Sequence, residues 1–183
     1  MYCISLKTSH PIADVRLKAA LNRWLPLSIA VLDCEEADID FHARYSCTSK
    51  EYIYKIWNTE VRNPFLDGYA LHYRYKLDDD MLNSAAQAYV GTHDFTSFCT
   101  LDSREKGDMT RTVKAFSVTR EGNLVTMKVE ADGFLYNMVR IMVGTLLRIQ
   151  QGKIPVDGIA GIIEKKDRKF AGPTAQPCGL YLN

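Results

Sequence analysis

The sequence predicts a mixed fold, α/β or α+β, built on a largely antiparallel sheet flanked by helices. Three observations carry this prediction. Apolar residues recur at helical spacing in some stretches and at strand spacing in others, so helices and strands interleave along the chain. Glu121-Gly122 sits between two alternating runs and reads as the turn of a hairpin, which joins its strands antiparallel. The composition, 46% hydrophobic and 25% charged over 183 residues, is that of a globular chain able to bury a core without disulfides or metal.

The elements follow in order. Residues 1–7 alternate as a strand does. From Asp14 to Trp24, Val15, Leu17, Ala20, Leu21 and Trp24 fall on one helical face, and Pro26 stops the run. Ser28 to Cys34 reads as a short strand, and the acidic stretch Glu35-Glu36-Ala37-Asp38-Ile39-Asp40 as a boundary between 1–40 and 41–183. Tyr45 to Trp57 contains a central strand, with Tyr52, Tyr54 and Ile56 on one face and Ile53, Lys55 and Trp57 on the other. Asn63-Pro64 and Asp67-Gly68 mark a loop, and Ala70 to Tyr75 a further strand. Asp78 caps a helix whose Met81, Leu82, Ala85, Ala86 and Tyr89 share a side, and Gly91 ends it.

Residues 99–111 are polar and mixed in charge, as in a surface loop. Thr112 to Thr119 and Asn123 to Ala131 form the hairpin, with Val125, Met127 and Val129 turned inward. Phe134 to Ile149 is the longest apolar run, at helical length and closed by Gly152, and Pro155 opens a last helix through Lys165. The tail Ala171-Gly172-Pro173-Thr174-Ala175 leads into a strand at Gly179-Leu180-Tyr181-Leu182.

Charge and cysteines narrow the function classes. Lys and Arg number 23 against 22 Asp and Glu, so no global field marks a polyanion partner and any such binding must be local. Cys3, Cys34, Cys47, Cys99 and Cys178 are odd in number, far apart and without zinc-ligand spacing, which reads as buried thiols in a reducing cytoplasm and no bound metal. No stretch has the length of a membrane span or the character of a signal peptide. Phosphate-cradling glycine loops and the common zinc and hydrolase motifs are missing too.

Less common constellations remain. Phe41-His42-Ala43-Arg44 leads into Ser49-Lys50-Glu51-Tyr52-Ile53-Tyr54, where rings and cations alternate at the mouth of a strand. Such a surface stacks bases and meets phosphates, although from pattern alone the two tyrosines read more readily as core aromatics with satisfied hydroxyls. In the apolar helix, Asn137, Arg140, Gly144, Arg148 and Gln151 line one thin stripe. It is either a solvent face or, at Arg140, half of a buried ion pair with a carboxylate. His93 and Cys99 suggest a hydrolase pair but lie too close in sequence to favour one. Lys165-Lys166-Asp167-Arg168-Lys169 is a solvated helix end or a phosphate-contacting patch.

Taken together, the segments Asp40-Phe41-His42-Ala43-Arg44, Asn63-Pro64-Phe65, Gly91-Thr92-His93-Asp94-Phe95-Thr96-Ser97-Phe98, Gly133-Phe134-Leu135-Tyr136-Asn137-Met138-Val139-Arg140 and Ala171-Gly172-Pro173-Thr174-Ala175 resemble the tRNA pseudouridine synthase A family, in the family's order. The resemblance implies the pseudouridine synthase fold and an isomerase of tRNA processing. Such enzymes convert uridines of the anticodon stem-loop to pseudouridine in the cytoplasm, as homodimers, without cofactor or metal. It also implies that Tyr52 is the tyrosine against the flipped uridine, with Phe134 and Leu135 walling its pocket. Arg140 becomes the arginine paired with the nucleophilic aspartate, and Arg44 and the 99–111 loop become tRNA contacts.

The family's aspartate belongs to a G-R-T-D-x-G-V-H-A motif, and this sequence has none. The expectation is therefore a chain with no catalytic residue of its own and no activity by itself. Residues 1–40 would be the remnant of an N-terminal half-domain and 41–183 a C-terminal one. The alternative is a non-catalytic RNA-binding module.

Overall fold

The computed structural model describes residues 2–100 and 107–183. They form two compact units, 2–47 and 48–183, divided between Cys47 and Thr48.

The second unit holds a mixed α/β arrangement as expected. Strands β1 (Lys50–Trp57), β2 (Leu71–His72), β3 (Gly91–Asp94), β4 (Thr110–Glu121), β5 (Leu124–Ala131) and β6 (Leu180–Leu182) make one sheet of order β2-β1-β5-β4-β3, with β6 also on β1. Every pairing is antiparallel except β1 with β2. β1 is thus central, lying between β5 and the pair β2 and β6. The β4–β5 hairpin turns at Gly122, whose φ of 58° is left-handed and open to glycine.

One sheet face supplies the core. Tyr54 and Ile56 of β1, Val125, Met127 and Val129 of β5, and Phe116 and Val118 of β4 are buried together with side chains of the helices. α2 (Asp79–Ala86) begins where Asp78 accepts from Met81 N at 3.0 Å, then tightens into a 3₁₀ turn at Gln87–Tyr89. Tyr89 is fully buried with its hydroxyl donated to Met142 O at 3.3 Å. Burial pushes this phenol far up, so it stays a donor. Gly91, expected to close the helix, instead opens β3, which pairs along Thr110–Val113 and which the sequence pattern is too short to announce. The expected strand 70–75 shrinks to Leu71 and His72, because β1 ends at Trp57: Tyr73 N still reaches Trp57 O at 2.9 Å, and beyond it the Asn58 side chain takes the carbonyls of Tyr73 and Tyr75.

α3 (Met138–Gln150) starts later than the apolar run that predicts it, because Asn137 adopts φ 61° and ψ 7° and breaks the helical path ahead of it. Ten of its 13 residues are buried. The thin polar stripe does not face solvent at Gly144: residues 171–176 cross it as a strap. A Cβ on Gly144 would lie 1.7 Å from Pro173 O, and one on Gly172 would lie 2.6 Å from the Gly144 carbonyl carbon and oxygen. Two glycines therefore let two backbones touch. The buried Thr145 hydroxyl accepts from Gly172 N at 2.9 Å and donates to Ile141 O at 2.8 Å. α4 (Gly158–Lys165) follows three residues after Pro155.

The first unit contains α1 (Asp14–Trp24), in the expected place, with no buried residue. Residues 2–7 and 28–34 form no strand, because alternation needs a neighbouring strand to take the backbone groups. The Val31 backbone is met instead by the Asn22 side-chain amide, at 2.9 and 2.8 Å. The expectation of buried thiols holds for Cys99 alone; Cys34 and Cys178 are half-buried and Cys3 and Cys47 exposed, since 2–47 offers little interior. Among the described residues no helix is long and apolar enough to cross a membrane.

Candidate active site

Tyr52 sits on β1 opposite Val129 on one side and Leu182 on the other, on the face shared with Tyr54 and Ile56. Phe134, just beyond the end of β5, meets it edge-on with ring centroids 5.1 Å apart and planes at 87°. Both rings are half-buried, so the pair keeps an accessible surface. Tyr54 takes the other reading of the sequence pattern. It is fully buried and donates its hydroxyl to Gln176 O at 2.7 Å, tying the strap to the sheet. Burial drives its phenol well above the usual tyrosine range, against a smaller opposing pull from Arg140. Leu135 is 4% exposed and belongs to the core.

Arg140 is half-buried in the first turn of α3. Its Nε donates to Ala175 O at 2.7 Å and its Nη1 to Asn137 Oδ1 at 2.9 Å, while its own carbonyl accepts from Ala175 N at 3.0 Å. Helix and strap clasp each other at this residue. None of the ion pairs among the described residues involves Arg140, so the carboxylate partner that its burial suggested is not among them. Both acceptors are neutral. No acidic residue stands in the first turn, whose N–H groups add positive potential to the guanidinium. The arrangement orients a cation and leaves its charge available to an anion.

The remaining candidates separate by position. Arg44 is exposed in the first unit, with its guanidinium 5.7 Å from the Tyr45 ring. Of the 99–111 loop, residues 101–106 lie outside the described residues; Thr100 is held by Tyr136 O at 3.2 Å and by the Asn137 amide at 3.3 Å. Within the basic run, Lys166 pairs with Asp94 at 2.9 Å, Lys165 lies 3.9 Å over Phe170, and Arg168 reaches Ala171 O and Thr174 Oγ1 of the strap. These contacts favour an anchoring role over a phosphate patch. Cys99 is fully buried and His93 turns its Nε2 to Val90 O at 3.2 Å, an arrangement without the accessible nucleophile a hydrolase needs. Among the described residues no three His, Cys, Asp or Glu side chains gather as a metal site. Sequence reasoning placed Asn137 on the stripe with Arg140 but gave it no role, and it missed the grip of Ala175 and the strap on Arg140. Only the Gly172-Pro173 dipeptide hinted at a close crossing.

An aromatic pair and, on the same unit, an arginine oriented by neutral acceptors are suited to a planar base and an anion, the class of site found in nucleobase-handling proteins. The comparisons agree. Residues 85–183 match the family model of tRNA pseudouridine synthase. The tRNA pseudouridine synthase A of Geobacillus sp. (strain WCH70) is 46% identical over 179 residues, 98% of this chain and 72% of the relative. That of Caldicellulosiruptor bescii is 43% identical, covering 97% of this chain and 72% of the relative, and that of Bacillus pumilus 45%, covering 98% and 72%. The chain belongs to the tRNA pseudouridine synthase family.

Proposed function

We propose that this chain carries the base-stacking and arginine-bearing side of a tRNA pseudouridine synthase that acts on uridines of the anticodon stem-loop. The observation that supports it is the Tyr52–Phe134 pair on the same unit as Arg140, whose charge is held by neutral acceptors. Isomerisation breaks the N1–C1′ bond of uridine and forms C5–C1′; C5 gives up its proton to solvent and N1 takes one. A base turned out of its stack needs a ring to rest on, which Tyr52 and Phe134 provide. A carboxylate nucleophile must stay ionised and aimed, which a half-buried arginine promotes. Arg44 and the 99–111 loop contact the tRNA, and the working enzyme is a cytoplasmic homodimer.

With no G-R-T-D motif, the chain by itself is inactive. The test is tritium release from tRNA carrying 5-tritiated uridine, run beside binding of an anticodon stem-loop RNA. Background release with measurable binding is expected, and turnover would overturn the claim of a missing nucleophile. Tyr52→Ala is expected to weaken RNA binding roughly tenfold, the effect of losing one stacked base. Unchanged binding would reject the assignment of Tyr52.

A further inference from the structure

Asn137 stands where the chain enters α3, at φ 61° and ψ 7°. Among the described residues the other non-glycine at positive φ is Lys166, at 48°, which closes α4. A left-handed residue is a common way to end a helix. At a helix start there is no such need: the cap is normally extended, and its side chain accepts a first-turn backbone N–H. Asn137 does neither. Its side chain makes no capping bond; Oδ1 accepts from Arg140 Nη1 at 2.9 Å and Nδ2 donates to Thr100 Oγ1 at 3.3 Å. Glycine would suit the backbone better, so the position holds an asparagine at a conformational cost. Unfavourable backbone retained beside a functional group points to a role for the side chain.

We propose that Asn137 is the positioning residue of Arg140. Ala175 O holds Nε and Asn137 Oδ1 holds Nη1, so two edges of the planar guanidinium are fixed. Thr100 fixes the asparagine amide in turn. Because both acceptors are neutral, the cation is oriented without being neutralised. An aspartate at 137 would hold the guanidinium as firmly and quench its charge. That this charge serves a catalytic carboxylate rests on the proposed function; the orientation itself does not.

The test is ¹⁵N NMR of the arginine side chains in the 183-residue chain, with the Arg140 signals assigned by their loss in Arg140→Lys. In the unsubstituted protein the Arg140 Nε–H exchanges slowly and its Nη groups give separate signals, since rotation about Nε–Cζ is hindered. Asn137→Gly should speed that exchange roughly tenfold and merge the Nη signals, without lowering the thermal midpoint. Asn137→Asp, which keeps the acceptor, should retain the separate signals. Thr100→Val should raise the exchange rate by a smaller factor, about threefold. Unchanged Arg140 signals in both Asn137→Gly and Thr100→Val would overturn the proposal. So would equal loosening in Asn137→Gly and Asn137→Asp together with a lowered midpoint, the mark of a purely structural residue. Failure of the functional reading looks different: no binding of anticodon stem-loop RNA while the Arg140 signature is intact.

Discussion

α1 and α3 are helices of similar length, 11 and 13 residues, with opposite surroundings: no residue of α1 is buried and ten of α3 are. Both carry apolar residues at helical spacing. On α1, Val15 is 79% and Trp24 86% exposed, whereas on α3 Ile141, Met142, Val143 and Leu146 are fully covered. Periodicity makes a face, and burial requires something shaped to meet it. In the second unit the sheet core, Tyr89 and the strap all meet α3, and the strap's approach depends on two glycines. The same closeness that buries α3 also brings Ala175 O to the Arg140 Nε, so a change in the strap's packing reaches the site.

The sharpest way to break the comparison is to cut the same kind of side chain from each helix. Ile141→Ala is expected to destabilise the fold by about 2–5 kcal/mol through transfer and cavity terms, while Val15→Ala changes stability by less than about 0.5 kcal/mol. Urea denaturation of both variants checks this, and equal effects would show that α1 is packed after all. Gly144→Ala tests the strap. Its Cβ meets backbone that cannot turn aside, so a loss of about 3 kcal/mol is expected in the same measurement. Tyr54→Phe leaves the Gln176 carbonyl without its donor and should cost about 1–2 kcal/mol, with faster amide exchange in residues 171–176.

The smallest expected effect concerns pH. The Thr96 hydroxyl foremost, with help from Lys166, holds the Asp94 carboxyl below its ordinary value of 3.8. A carboxyl lowered by folding stabilises the fold fully above that ordinary value, and the contribution is lost as pH falls through the lowered one. Asp94 is half-buried and its Lys166 partner is exposed, so solvent screening keeps the effect modest. Asp94→Asn should therefore flatten the acid limb of a plot of thermal midpoint against pH and leave the shape near neutrality unchanged. An acid limb identical to that of the unsubstituted protein would reject the role of this turn.

Much of the second unit was legible in advance. The β4–β5 hairpin and the cap at Asp78 follow from local rules of turn chemistry and period. The Tyr52 strand, Phe134 and Arg140 were legible as candidates, and the resemblance gave them roles. The strands expected at 1–7 and 28–34 failed because a strand is a relation between two segments, and alternation records only one of them. β3 was missed for the converse reason: Gly91-Thr92-His93-Asp94 has no strand pattern of its own and pairs because β4 lies beside it.

By itself the sequence determined the class of fold and the family, and it nominated side chains for a base and a carboxylate, since residue type, period and motif order are local properties of the chain. Only the tertiary structure decided that Tyr54 is core while Tyr52 remains half-exposed, that Gly144 admits a strap, and that Arg140 is held by a carbonyl and an amide. Those outcomes depend on long-range contacts and on one left-handed backbone position at Asn137, and neither leaves a periodic trace in the sequence.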